Sequence, residues 1–126
     1  MNDMTAPEVT VAGVEVTLSL PHSYAERWEL GTQTTGSPTR ATAACLGSCW
    51  PRGVPWPGKH RPTLSGCGYD SMAYGGAVID SLIASGAKMA EIAFAGTLAY
   101  GLVTHELYGE EEVSEAEDFS DPPKGA

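Results

Sequence analysis

No stretch of this sequence is long and apolar enough to read as a membrane span. The longest such run, Ile92 to Val103, has 12 residues and lies between Glu91 and the pair His105 and Glu106, well short of the roughly 20 that a spanning helix requires. The chain also lacks a basic opening followed by an apolar segment. Met1 to Pro7 is polar, so no secretory signal peptide is expected there. Cysteine is scarce, at three residues. An odd number of thiols fits a reducing compartment such as a host cell cytoplasm better than a disulfide framework. Basic residues are few as well: 7 Lys and Arg against 16 Asp and Glu give a formal net charge of -9. A molecule of that sign repels phosphate, which argues against general nucleic-acid binding.

Recognisable reaction chemistry is missing too. There is no G-x-S-x-G turn, and His22, His60 and His105 sit in no nucleophile or base motif. Glu110, Glu111 and Glu112 stand outside any twelve-residue calcium-loop pattern and read as a solvated acidic run. Gly53 to His60, GVPWPGKH, approaches the phosphate loop G-x4-G-K-[ST]. His60 replaces the magnesium-binding hydroxyl, however, and Pro55 and Pro57 remove backbone donors. Cys45, Cys49, His60 and Cys67 are the one group of zinc-type ligands. A four-residue helical step from Cys45 to Cys49 is not the tight turn of a C-x2-C pair. Burial as small apolar side chains is therefore the expectation, with a metal site as the alternative. No catalytic residue and no cofactor are expected, and the chain reads as a protein that binds other proteins.

What is present suggests an α+β domain, mainly α. The 126 residues suit one domain, and 15 Gly and 9 Pro imply much loop. Residues 8–20, EVTVAGVEVTLSL, alternate with period two. With Ala12-Gly13 as a two-residue turn, Val11 faces Val14, Val9 faces Val16 and Thr10 faces Glu15. The valines then share one face of a hairpin. Ser23 and Glu26 have capping-box spacing for a short helix that Gly31 can end. After a linker, Ser37-Pro38 opens a second helix, Thr39 to Trp50, rich in Ala and Gly and stopped by Pro51. A Pro-rich loop covers residues 51–69. Asp70 then caps a third helix through Ser85, and a fourth runs from about Ala87 to Tyr108 after a very short link. The short link implies an antiparallel helix pair or a sharp kink. The fourth helix is apolar nearly all round, so it is either central or covered by partner chains. The compact domain is expected over residues 1–109. Residues 110–126 form an acidic tail whose seven carboxylates face one Lys.

Four side chains of the fourth helix, Ile92, Leu98, Leu102 and Val103, are the expected protein contacts. Trp56, between two prolines, is an expected exposed anchor, and Phe119 is a candidate docking residue within the tail. Trp28, Trp50, Trp56 and Tyr69 are candidates for a binding face, with core packing the alternative for Trp28 and Trp50.

The segments LGSCWP (Leu46 to Pro51), YDSMAYGGAVIDSLIASGA (Tyr69 to Ala87), the apolar helix and VSEAEDFSDPPKG (Val113 to Gly125) occur in that order. Over roughly residues 41–125 this arrangement resembles the small tail assembly chaperones of long-tailed bacteriophages. The resemblance implies a mostly helical, self-associating protein that binds tape-measure and tail-tube proteins in the host cytoplasm, with no catalytic residues to carry over. Two alternatives remain. One is a structural component retained in the virion, such as a head–tail connector or tail-tip protein, whose hairpin adds a strand to a neighbour. The other is an acidic inhibitor of a nucleic-acid-binding machine.

Overall fold

A computed structural model describes residues 6–21, 23–32 and 38–105. Two strands, β1 (Glu8–Val11) and β2 (Val14–Thr17), are followed by four helices: α1 (Tyr24–Thr32), α2 (Pro38–Ser48), α3 (Ser71–Ala84) and α4 (Met89–Thr104). The fold is α+β and mainly α. No described helix is long and apolar enough to cross a membrane. The expected acidic tail, Phe119 within it, and any extension of α4 beyond His105 lie outside the described residues.

The hairpin pairs in the register that the valine alternation implies: Val9 with Val16, Thr10 with Glu15 and Val11 with Val14. Ala12 and Gly13 both have positive φ, 51° and 81°. A turn of this hand matches the twist of the flanking strands. It forces Ala12 into a region that costs an L-residue about 1–2 kcal/mol. Two contacts hold it there. Val9, Val11 and Val16 are buried, and the Ala12 N–H donates to Glu91 Oε1 of α4 at 3.3 Å.

Small residues make α2 the central element. α3 and α4 each pack along α2 and scarcely touch one another. Of the two arrangements expected from their short link, an antiparallel pair or a sharp kink, the packed antiparallel pair is not formed. Instead α3 ends in a left-handed cap at Gly86, φ 100°, with Gly86 N–H donating to Ile83 O at 3.0 Å and Ala87 N–H to Leu82 O at 2.9 Å. That cap turns the chain away so that α4 seats on the other flank of α2. The opening of α3 follows the sequence closely: the Asp70 carboxylate accepts from Met72 and Ala73 N–H at 2.9 and 3.2 Å.

The seats on α2 are glycine contacts. A Cβ built on Gly75 of α3 would lie against the Arg40 backbone carbonyl, and one on Gly96 of α4 would stand 3.0 Å from the Thr42 backbone. Ala43, Ala44, Cys45 and Leu46 of α2 are fully buried between these neighbours. Close helix approach explains why two helices tolerate residues with poor helical propensity.

The Pro-rich segment between α2 and α3 holds one short 3-10 turn, Ser65–Cys67, that sequence reasoning did not foresee. Elsewhere, side-chain anchors to backbone carbonyls fix it in place of regular structure. Trp50 is buried and its Nε1–H donates to Val54 O at 3.2 Å. Arg61 donates to the Gly47 and Trp50 carbonyls at 3.1 and 2.5 Å. A cation thus satisfies acceptors left at the C-terminal end of α2.

These contacts predict opposite outcomes for two Gly→Ala changes measured by urea denaturation. Gly75→Ala should lower stability by about 1–3 kcal/mol through overpacking against the Arg40 carbonyl. Gly101→Ala, on an exposed face of α4 with nothing nearby, should raise it by up to about 1 kcal/mol.

Candidate functional site

Two concave regions compete for a functional role. The first, of about 660 Å³, lies at the C-terminal end of α2, between the segment leading into α1 and the Pro-rich loop. Several of its polar groups are tied to one another. Ser48 Oγ donates to Glu26 Oε2 at 3.0 Å, and the Tyr74 and Ser48 hydroxyls share a hydrogen bond. Burial pushes the Tyr74 hydroxyl up to about 12, overcoming the opposing pull of that hydrogen bond and of nearby Arg61. Arg61 is engaged by the α2 carbonyls. Glu26 therefore completes only half of the expected capping box. Ser23 Oγ accepts the Glu26 N–H at 3.2 Å, but the Glu26 carboxylate turns to Ser48. This cluster braces α1, α2 and the loop against each other. It contains no described imidazole that could relay a proton from Ser48.

The second region, of about 700 Å³, lies where the hairpin meets the first half of α4. Glu8, Thr10, Glu15, Glu91 and Phe94 are among its walls. Phe94 is 63% exposed, the most exposed large apolar side chain among the described residues. Met89, one turn earlier, is 45% exposed. The backbone beside Phe94 is unpaired. The closing pair Val11–Val14 and the bond from Leu18 N–H to Pro7 O at 2.9 Å fix the ladder's parity. Odd-numbered residues of β1 therefore point their N–H and C=O at β2, while Glu8 and Thr10 point theirs away from it. Among the described residues these outward groups have no backbone partner. Ala12 is next on the same edge, and its N–H is taken by Glu91.

The expected contact residues sit differently from the sequence reading. Ile92 and Val103 are fully buried and Leu102 nearly so, all within the protein's own core, and Leu98 packs half-buried against it. The physical reason is phase. Ile92, Ala95, Gly96, Ala99, Leu102 and Val103 form one inward stripe at helical spacing. Phe94 is out of phase with that stripe and faces outward. An all-apolar helix in which only one stripe is covered must expose its other large residues, and this was the sequence signal for Phe94. Trp56 is not an exposed anchor. It stands edge-on to Trp50, ring centroids 4.9 Å apart, donates from Nε1 to Ser81 Oγ at 2.8 Å, and has Arg61 5.8 Å from its ring centroid. Trp50 is buried in the core, whereas Trp28 is 48% exposed.

The four zinc-type residues do not converge. Cys45 and Cys49 are buried, Cys67 is half-buried, and His60 is exposed on the loop. No group of three or more His, Cys, Asp or Glu among the described residues is placed to hold a metal ion. The phosphate-loop-like segment, residues 53–60, is flanked by neither strand nor helix, so its backbone forms no phosphate cradle. Against protein-family models, curated proteins and solved structures, the chain gives no match.

Burial raises the Cys45 thiol from its ordinary 9.0 to about 12, and it raises Cys49 further, with added repulsion from Cys45 and Glu26. Native protein at pH 8 should therefore react through Cys67 alone with a thiol reagent, and through all three cysteines once unfolded, as counted by mass spectrometry. A folded-state value above the unfolded one means stability is complete below about pH 9 and is lost as pH rises toward 12. Cys45→Ala should shift alkaline unfolding, followed by circular dichroism, to higher pH.

Proposed function

We propose that this chain is a non-enzymatic assembly protein of a bacteriophage tail, binding tape-measure or tail-tube subunits through the hairpin–α4 face. The observation that carries this reading is Phe94. A large aromatic side chain stands outward at a concavity formed with the hairpin. Aromatic anchors of this kind dominate the energetics of protein interfaces. In the other concavity Ser48, Glu26, Tyr74 and Arg61 are engaged internally. The ordered likeness of Leu46 to Pro51, Tyr69 to Ala87 and Val113 to Gly125 to tail assembly chaperones supplies the biological setting: transient binding in the host cytoplasm, with self-association.

A second reading, a component that remains in the particle, is favoured by the open edge of β1. A strand added there would make a lasting joint, as connectors require.

Mass spectrometry of purified particles beside lysate of the producing cells separates the two. Presence in the lysate and absence from the particles is expected for an assembly chaperone; stoichiometric presence in the particles would establish the second reading instead. Phe94→Asp should reduce particle yield while leaving thermal unfolding of the isolated protein nearly unchanged, because the side chain is mostly outside the core.

A further inference from the structure

We infer that the cavity at the C-terminal end of α2 holds the chain's own acidic segment, residues 115–121, with Phe119 beside Tyr69 and the flanking carboxylates on Arg52 and Arg61. The inference does not depend on which partner the hairpin–α4 face takes up.

Charge chooses between the two concave regions. The charged side chains lining the region beside Phe94 are Glu8, Glu15 and Glu91, and they repel an acidic chain. The cavity at the end of α2 is lined by Arg52, Arg61 and a single acid, Glu26. Glu26 is already occupied, accepting the Ser48 hydroxyl at 3.0 Å. The loop that supplies both arginines, residues 51–69, also carries Lys59 and contains no Asp or Glu. Arg52 is exposed and has no hydrogen-bond or ion-pair partner among the described residues. Arg61 spends Nη2 on the Gly47 and Trp50 carbonyls, one of the three nitrogens of its guanidinium. Guanidinium groups with donors to spare form strong charge-assisted hydrogen bonds to carboxylates.

The same cavity offers a place for one ring. Pro21 and Leu64 are buried in its wall, and Tyr69 stands there 57% exposed. Tyr69 also has a positive φ of 60°, and its N–H is fixed to Leu64 O at 2.9 Å. Non-glycine residues held in that conformation gather at binding sites. Aromatic rings pair favourably in offset or edge-on contact.

The occupant is set by chemistry and by reach. Phe119 is the one aromatic of residues 110–126, and Glu115, Glu117, Asp118 and Asp121 surround it. It follows His105, the last described residue, by 14 residues. Fully extended these span about 46 Å, long enough to cross a domain whose radius of gyration is about 13 Å. A tether of that length keeps the segment at an effective concentration of about a millimolar. An acidic segment of another protein, or of a second copy, lacks that advantage.

The test uses the full chain, its Phe119→Ser and Arg52→Glu variants, and a synthetic peptide of residues 113–123, followed by amide NMR and calorimetry. Phe119→Ser should move the Thr63, Ser65 and Tyr69 amides and leave those of Thr10 and Phe94 in place. The peptide should bind the Phe119→Ser chain several-fold more tightly than the unsubstituted chain, whose own segment competes for the cavity. Its affinity should fall several-fold as salt is raised across the physiological range. Arg52→Glu, at an exposed position, should move the same amides as Phe119→Ser, and added to Phe119→Ser it should weaken the peptide about tenfold. Unmoved cavity amides in Phe119→Ser, equal peptide affinity with and without that substitution, or peptide binding indifferent to Arg52→Glu would overturn the inference. A dimer in sedimentation that Phe119→Ser dissociates would overturn it as well, by placing the segment in a second copy.

Discussion

The structure depends on how closely two helices approach α2. Gly75 sits against the Arg40 carbonyl and Gly96 against the Thr42 backbone. The helices meet backbone to backbone, with little side-chain padding between them. Dispersion contacts at such seams are dense, and a single added methyl has nowhere to go. Everything else is arranged around that seam. The hairpin rests on α4, the Pro-rich segment is pinned at the end of α2, and α1 is tied to α2 through Glu26 and Ser48. The large core side chains, Trp50, Tyr74, Leu46, Leu82 and Ile92 among them, are buried around that seam.

This arrangement explains which parts of the fold could be read from the sequence. The hairpin was legible because period-two valines and a two-residue turn allow only one register that buries them together. The start of α3 was legible because Asp70 is a local cap that needs no tertiary partner. The relation of α3 to α4 was not. A short link suggests neighbours, but the left-handed cap at Gly86 redirects the chain, and the glycine seats on α2 decide the docking. Nothing within the link itself announces this. The segment after Pro51 is a loop, as its prolines indicated, but its anchoring was not legible, because Arg61 and Trp56 reach groups outside it.

The candidate site was legible only in outline. The fourth helix was correctly marked as over-apolar, yet its largest aliphatic residues were assigned outward. In the structure the inward stripe mixes small residues with Ile92, Leu102 and Val103, and the aromatic Phe94 is left outside. Size alone is a poor guide where a helix must come very near its neighbour, because small residues are then the ones needed inside. The contribution of Glu91 was invisible from sequence, since its partner, Ala12, is far away in the chain.

The burial of Cys45 and Cys49 has a consequence for how the protein is made. Cys45 lies in α2 and Cys49 just after it, α2 packs against both α3 and α4 in the finished fold, and α4 ends at Thr104. At about 5–20 residues per second, a ribosome needs roughly 3–11 s to reach the end of α4 once α2 has been made. During those seconds the nascent chain carries open sulfurs that the finished molecule conceals. A chain caught before the fold closes is open to oxidation at two sulfurs that the folded protein keeps out of reach.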